Sequence, residues 1–456
     1  MATVPVPAAI PHLHGLPLLG AGLSLQHDRL AFLRRASRAG GEIVHFRLGP
    51  REGYFVNSSD LVQEVLVAHA PEVEKAFRLL RGSPLYLLGN GLLTSMNASH
   101  KRQRKLIAPA FQPRHIVAYA GCMTSYAEQI QALWADGATI DVAHEMRRLT
   151  LWIVGKTLFD ADVLAQADDV GAALTTVMRD SNARRHALVQ VPATWPTPRN
   201  RRLRAARARL DATVYRIIAA RRQSGEDRGD LLSVLLRTQD QDDGGFMTDQ
   251  QVRDEAMTLF LAGHETTANA LSWTLYLLAQ HPEVYAHVRA EVDLVLQGRT
   301  PTVADLAHLP YTLQVLKEAL RLYPPAYILL RYVAEPLTLG GHRLPQGAVV
   351  VISPYTLHRR PDYFPEPERF DPSRFVPEVE GRLPRYAYLP FGAGPRACIG
   401  NHFALMEAHL VLATLAQRVT FELVRGQRVA TEPLVTLRPK HGIRMIVRRR
   451  KDATAA

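Results

Sequence analysis

The sequence is short of cysteine and of long apolar runs. Cys122 and Cys398 are the two cysteines in 456 residues, too few for a disulfide framework, so we expect a reducing, cytoplasmic compartment. The apolar first 25 residues contain no Lys or Arg, and prolines and histidines interrupt them. That pattern fits neither a signal peptide nor a membrane span, so we expect a soluble protein.

The composition is that of a globular protein. Apolar residues make up 47% and charged residues 21%, which excludes a disordered, collagen-like or coiled-coil chain. The formal charge is +12, which suits an acidic partner. Five arginines form the basic run Arg201, Arg202, Arg204, Arg207 and Arg209. Because this run lacks interleaved aromatics, it is typical of a solvated helix face, and we expect no nucleic-acid partner.

Strand patterns are few and separated by glycine or proline turns. They cover Ile43–Leu48, Tyr54–Val56, Leu337–Leu339, Ala348–Ile352 and Val419–Leu423. Most of the remaining chain has helical spacing, with no internal repeat and no long linker. The pattern predicts a mainly α fold with small β-sheets, organised as a single domain over residues 1–456.

The longest predicted helix starts near Thr248, where Thr248 and Gln251 can form a capping box, and runs through Ala279. Apolar residues surround most of it, which predicts a helix through the core. The segment Ala262–Thr267 interrupts that pattern with Gly263 and polar side chains. A threonine that diverts main-chain bonds, together with a glycine, can open a groove for a small ligand. A satisfied polar pair packed on a neighbour explains the segment equally well.

Two further patterns carry chemistry. Glu318 and Arg321 share one face of a largely apolar helix. A buried pair would need further partners, for which Arg369 is a candidate, and a surface ion pair is the alternative. His264 and Glu265 begin a zinc-peptidase motif, but Ala268 stands where the second histidine belongs, which excludes that class.

Cys398 lies in a glycine-rich loop, Phe391–Gly400, that enters a helix. Free main-chain N–H groups, the helix dipole and Arg396 favour a thiolate there, so Cys398 is a candidate nucleophile or metal ligand. Cys122 has no such surroundings and is typical of a buried, inert thiol. A cysteine hydrolase would need a base, for which His402 is the nearest candidate.

These segments together resemble the cytochrome P-450 family of haem-thiolate monooxygenases. Phe391, Gly394, Arg396, Cys398 and Gly400 match the haem-binding loop of the family. Ala262–Thr267 is similar to its oxygen-activating helix signature, and Glu318, Arg321 and Arg369 to its structural triad. The resemblance implies haem b with Cys398 as axial iron ligand, a thiolate that favours O–O cleavage.

Further roles follow from the same resemblance. His100, Arg104, Arg331 and Arg396 would meet the haem propionates, although many relatives have Trp in place of His100. Glu265 and Thr266 would order water and deliver protons. Since the chain ends soon after the haem-binding segment, electrons would come from a separate ferredoxin or flavodoxin with its reductase. That partner would dock near Lys101, Arg102 and Lys105.

The implied reaction is insertion of one oxygen atom from O2 into an apolar small molecule, such as a terpenoid, steroid, fatty acid or macrolide precursor. Peroxide rearrangement, phenol coupling and a non-enzymatic haem protein remain alternatives, although Glu265 and Thr266 favour oxygen activation. The substrate pocket would be lined by Phe260, Leu261, Ala262, Tyr327, Ile328, Leu329 and Val435.

The segments Leu79–Leu93 and Ser181–Pro198 would cover the pocket entrance. Four arginines lie in or beside them: Arg78, Arg81, Arg184 and Arg185. They are candidates for holding an acidic group of the substrate, with plain exposure to water as the alternative.

Overall fold

The structure is a computed structural model that describes residues 9–17, 20–76, 89–160, 167–186, 191–192, 194–238 and 245–450. Its α-helices are α1 (Gly22–His27), α2 (Arg29–Arg38), α3 (Ser59–Gln63), α4 (Asn97–Ile107), α5 (Pro113–Ala118), α6 (Ala120–Ala132), α7 (Val142–Phe159), α8 (Ala167–His186), α9 (Pro198–Ser224), α10 (Leu231–Arg237), α11 (Asp249–Gln280), α12 (Pro282–Leu296), α13 (Pro310–Leu322), α14 (Pro354–Leu357), α15 (Pro377–Glu380) and α16 (Asn401–Arg418).

The strands are β1 (His12–Leu13), β2 (Ile43–Leu48), β3 (Arg51–Val56), β4 (Val73–Lys75), β5 (Thr139–Asp141), β6 (Leu329–Val333), β7 (Leu337–Leu339), β8 (His342–Leu344), β9 (Val349–Ile352), β10 (Val419–Leu423), β11 (Thr431–Pro433), β12 (Leu437–Pro439) and β13 (Arg444–Arg449). The predicted class, mainly α with small sheets, is confirmed. Among the described residues, no helix is both long and apolar enough to cross a bilayer.

The chain divides into two compact units. Among the described residues, unit 1 comprises those within 1–81, 321–370 and 374–398, and unit 2 comprises those within 82–320, 371–373 and 399–456. Unit 1 is therefore assembled from segments that are far apart in the sequence.

A six-stranded sheet in the order β1-β2-β3-β9-β6-β4 organises unit 1. The predicted hairpin is present as the antiparallel pair β2 and β3, and β9 adds in parallel to β3 with Gly53 opposite Val349. Alternate apolar side chains from the strands, such as Val56, Val350 and Ile352, bury against Val62 and Leu66. This burial on one face fixes the register, because a one-residue slip would turn the apolar side chains to the other face.

Helix α11 runs through the middle of unit 2. It begins at the predicted capping box, in which Thr248 and Gln251 each bond the other's main chain. Its side chains are buried around nearly the whole circumference, as the all-round apolar pattern predicts. Trp273 donates from Nε1 to the Leu437 carbonyl (3.0 Å), which ties the helix to β12.

Candidate functional site

The loop before α16 owes its shape to glycine. Gly392 and Gly394 have φ values of 68° and 69°, the left-handed region that other residues avoid. A Cβ at Gly394 would lie 1.9 Å from the Leu66 carbonyl oxygen. Glycine is therefore required there both for backbone conformation and for the close approach of another segment.

Main-chain bonds then close the loop around Cys398. Its N–H donates to the Phe391 carbonyl (2.9 Å), and the Ala397 N–H donates to the Gly394 carbonyl (3.0 Å). Cys398 is exposed and lies three residues before α16 begins. Cys122, in contrast, is within α6, where burial raises the pKa of its thiol to about 12. The predicted contrast between an accessible cysteine and an inert thiol is therefore present in the structure.

Arg331 and Arg396 form a cationic pair in unit 1. Arg331 is 6% exposed, and its guanidinium donates to the carbonyl of the adjacent Leu330 (3.1 Å). Burial, together with the charge of Arg396, lowers the pKa of Arg331 to about 10. No carboxylate among the described residues forms an ion pair with Arg331. A buried guanidinium beside a second one calls for an anion, so this pair fits the carboxylates of a haem.

In α11, two hydroxyl groups bond to main-chain carbonyls of the polar segment. Thr266 Oγ1 donates to the Ala262 carbonyl (2.6 Å), and Thr150 Oγ1 of α7 donates to the His264 carbonyl (3.0 Å). The Thr266 bond is the kind expected of a mid-helix threonine, whereas the Thr150 bond was not predicted. Gly263 has a different function from the one expected, because its Cβ would lie 3.0 Å from Val154 Cγ2. The missing side chain lets α7 approach rather than opening a ligand groove on that side.

Glu265 is almost completely buried, with 1% exposure. Its Oε1 accepts hydrogen bonds from Asn269 Nδ2 (3.3 Å) and Thr436 Oγ1 (3.2 Å), and the charge of Arg147 attracts it. The carboxylate thus connects α11 to the turn between β11 and β12. Asn269 and Thr436 were not predicted as site residues, since neither stands in a recognisable motif.

Glu318 and Arg321 are both fully buried, as their apolar helix suggested. Arg321 donates to three carbonyls, those of His358 (2.9 Å), Pro367 (2.7 Å) and Arg369 (3.0 Å). Glu318 accepts from the Asp371 N–H (2.8 Å). Each charge therefore orders the main chain of a loop in its own unit.

The assignment of Arg369 to this triad is wrong for its side chain. The Arg369 side chain is 62% exposed and pairs with Glu366, so it contributes a main-chain carbonyl and no buried charge. The sequence contains a second Pro-x-Arg-Phe segment five residues later, Pro372–Phe375, whose Arg374 is half-buried and donates to the Glu366 carbonyl (3.1 Å). The two segments have the same local pattern, and the structure buries Arg374 more than Arg369.

The predicted cationic helix is α4. His100 is buried and Arg104 half-buried, whereas Lys101 and Lys105 are exposed. Residues four apart share one face of a helix, so His100 and Arg104 lie on one face and Lys101 and Lys105 on another. The helix thus presents His100 and Arg104 on its more buried side and lysines to solvent.

The residues predicted to line the substrate pocket differ in how much accessible surface they have. Tyr327 is fully buried, and its hydroxyl accepts from Arg29, so it is a structural residue and its assignment as a lining residue is wrong. Phe260 stacks on Phe159 of α7 with ring centroids 4.5 Å apart, which occupies one face of its ring. Leu261 is also buried. Ala262, Ile328, Leu329 and Val435 keep accessible surface.

Part of the predicted entrance lies outside the described residues. This applies to Arg78 and Arg81, to residues 79–88 of the first segment, and to residues 187–190 and 193 of the second. Arg184 and Arg185 fall within α8, but their side chains are outside the described part of the structure.

Comparison with known proteins identifies the family. The cytochrome P450 family model matches residues 10–446. Cyclooctatin synthase of Streptomyces melanosporofaciens is 42% identical over 431 residues, covering 93% of this chain and 92% of the relative. Pentalenene oxygenase of Streptomyces avermitilis is 35% identical over 430 residues, with the same coverage of both chains.

A solved structure agrees. Cyanobacterial CYP120A1 with retinoic acid bound superposes with a TM-score of 0.86 at 28% identity, covering 98% of this chain and 100% of that one. The protein therefore belongs to the cytochrome P450 family, and it is a monooxygenase whose cofactor is a haem with an axial cysteine thiolate.

Proposed function

We propose that the protein inserts one oxygen atom from O2 into a mostly apolar small molecule of the terpenoid type. Ala262, Ile328, Leu329 and Val435 support this class, because they offer apolar surface and no charge. Two relatives carry matching names: pentalenene oxygenase, and a cyclooctat-9-en-7-ol 5-monooxygenase that is 39% identical over 412 residues. Both names refer to compounds with a C=C bond, the kind of molecule that has a large apolar surface.

Cys398 is the proposed axial ligand, and its setting carries the proposal. The loop that Gly392 and Gly394 shape leaves the Cys398 side chain accessible. Arg396 of the same loop lies close to the buried Arg331, whose charge calls for an anion. Bound haem supplies a thiolate-ligated iron for oxygen activation. Arg331 and Arg396 would hold a propionate through charge-assisted hydrogen bonds. His100 and Arg104 remain predicted partners of the haem propionates.

Thr266 and Glu265 are the proposed proton-handling groups. The Thr266 hydroxyl donates its proton to the Ala262 carbonyl, so its lone pairs are available to accept from water. Glu265 is held as a buried carboxylate acceptor by Asn269 and Thr436. From that position the Glu265 carboxylate would attract protons. It could also exchange its hydrogen bond from Thr436 for one from water, since the Thr436 hydroxyl can rotate.

Electrons come from another protein, which we propose to be an acidic ferredoxin or flavodoxin. The exposed Lys101 and Lys105 of α4 support a negatively charged docking partner. We expect the electron-transfer rate to fall as salt increases, and Lys101→Glu to lower it at low salt. A rate insensitive to both changes would contradict this docking site. Because the ligand must stay a thiolate, a reducing, cytoplasmic location fits the proposal.

The test of the function is isotopic. Purified haem-loaded protein is supplied with a surrogate ferredoxin, its reductase and NADPH under 18O2, together with a panel of cyclic terpenoid alkenes. We expect a product that gains one 18O atom, and a substrate-induced change in the haem spectrum for the accepted compound. Paired ligands, a terpenoid acid and its methyl ester, report whether an acidic group helps. Binding of strongly polar compounds alone would contradict the apolar substrate class.

A further inference from the structure

Unit 2 contains a cationic cavity that the proposed function does not use. Helices α7, α8 and α11 enclose a volume of ≈ 320 Å³. Three arginines and two histidines line it, and none of its lining residues is acidic. A cavity of one charge sign concentrates ions of the opposite sign.

Two helix faces supply the lining at regular spacing. On α8, intervals of four residues separate Gly171, Thr175 and Arg179. On α7, intervals of three and four residues separate His144, Arg147 and Leu151. Residues three and four apart share one helix face. The polar groups therefore converge on one space rather than scattering around two helices.

His264 of α11 has unused hydrogen-bonding capacity in this cavity. The side chain lines the cavity and is 1% exposed, and neither ring nitrogen has a hydrogen-bond partner of good geometry among the described residues. Burial, followed by the charge of Arg147, lowers the pKa of His264 to about 3. The Arg147 main chain lies near one ring nitrogen, so the other nitrogen is the one that a ligand or water would have to satisfy.

The arginines differ in how far they are already paired. Arg148 forms an ion pair with Glu145 (3.2 Å), which compensates its charge. Arg147 makes no hydrogen bond or close ion pair through its guanidinium with any described residue, although Glu265 and Asp141 favour its charge from farther away. Arg179 is exposed at the rim, and its charge disfavours that of Arg147. Both guanidiniums would gain from an anion placed between them.

The geometry points to a binding site for a small phosphate-bearing anion, formed by Arg147, Arg179 and His264 with the Thr175 hydroxyl. We propose this site as an addition to the monooxygenase function, and it does not depend on haem binding. Guanidinium groups bind phosphate oxygens in bidentate fashion. The volume exceeds the needs of one phosphate and lies at the lower end of small-molecule pockets, which favours a diphosphate group.

Gly171 allows a charge-specific test. A side chain at Gly171 would meet open space, and the same holds for the exposed Gly121 of α6. Gly171→Glu would place a tethered carboxylate among the cavity cations, whereas Gly121→Glu adds the same side chain to a helix elsewhere. Isothermal titration of the haem-loaded protein with inorganic diphosphate, in phosphate-free buffer at low salt, measures the effect.

We expect saturable 1:1 binding in the wild type and in Gly121→Glu, and none in Gly171→Glu. Arg179→Gln should weaken binding about tenfold or more, since it removes a charge-assisted bond. Arg209→Gln, on the exposed face of α9, is its matched control and should bind as the wild type does. Absence of binding at millimolar diphosphate, or binding that survives Gly171→Glu, would overturn the proposal.

Thermal unfolding supplies a readout that needs no ligand. Both glycine replacements should raise Tm through helix propensity, and Gly171→Glu should raise it further at low salt because its carboxylate meets the cavity cations. The extra gain should shrink as salt screens the charges. An equal gain for both variants at every salt concentration would contradict an anion site.

A last arm distinguishes the source of the phosphate. Cosedimentation with phosphatidic-acid vesicles that is lost in Gly171→Glu would assign the site to a lipid headgroup. Diphosphate binding without such cosedimentation would assign it to a soluble ligand.

Discussion

The Cys398 loop and the polar segment of α11 contain the residues proposed for iron ligation and for proton handling, and the two segments are built differently. Main-chain constraints shape the loop, through the φ values of Gly392 and Gly394 and the contact of Gly394 with Leu66. Side-chain partners define the segment, where hydroxyls of Thr266 and Thr150 occupy carbonyls. The loop should therefore fail as a whole when one backbone position changes, whereas the segment should lose single functions one at a time.

The largest effect is expected at the iron ligand. Cys398→Ala should abolish the thiolate-type spectrum of the reduced carbon monoxide complex, because the other thiol, Cys122, is less exposed and its pKa is raised by burial. Cys122→Ala is the matched control and should keep that spectrum, since burial holds its thiol neutral. Persistence of the spectrum in Cys398→Ala, with loss in Cys122→Ala, would reverse the assignment.

Gly394→Ala tests whether the loop depends on its main chain. The new Cβ would meet the Leu66 carbonyl at 1.9 Å, so we expect a loss of about 3 to 5 kcal/mol in the free energy of unfolding and poor haem loading. Gly49 also has a positive φ, of 59°, but a Cβ there would meet open space. Gly49→Ala should therefore cost only about 1 to 2 kcal/mol. Equal costs in denaturant titrations would mean that the loop tolerates displacement.

Thr266→Ala tests the opposite expectation for α11. Removing the hydroxyl should leave haem content and the carbon monoxide spectrum intact while product per electron consumed falls about tenfold or more and peroxide rises. Ser272→Ala removes a similar bond on the same helix, from Ser272 Oγ to the Ala268 carbonyl (2.6 Å), and should not change coupling. If Thr266→Ala keeps full coupling, Thr266 does not handle protons.

The smallest effect is expected for the cross-helix hydroxyl. Thr150→Val removes a hydroxyl whose one proton has carbonyls of two helices within reach, that of Met146 in its own helix (2.9 Å) and that of His264 in α11 (3.0 Å). The loss should cost about 1 kcal/mol in the free energy of unfolding, with an unchanged haem spectrum. In the described part of the chain, the Thr274 hydroxyl bonds only within its own helix, to the Ala270 carbonyl (2.7 Å). Thr274→Val should cost less, because such back-bonding adds little to helix stability. Matched thermal melts compare the two variants.

Local patterns were sufficient for much of the fold and for the main residues of the loop. The capping box at Thr248, the β2–β3 hairpin and the glycine positions near Cys398 all depend on neighbours in sequence, and the structure contains them. They could be predicted because propensity and turn chemistry act over a few residues.

Contacts between distant residues could not be predicted in the same way. Tyr327 is held by Arg29, nearly 300 residues earlier, and Glu265 by Thr436. The choice between Arg369 and Arg374 depends on which of two similar segments turns inward, and both have the same local chemistry. Such assignments depend on tertiary packing, which leaves no periodic signal in the sequence.

The parallel pairing of β3 with β9 has a consequence during synthesis on the ribosome. Strand β3 contains Tyr54, Phe55 and Val56, and its partner β9 begins at Val349. At ordinary translation speeds, the roughly 290 residues between them take about 15 to 60 s to make. During that interval the emerging chain exposes an apolar strand edge, the kind of surface that recruits other strands. The nascent protein should therefore depend on chaperones until residue 352 has left the ribosome.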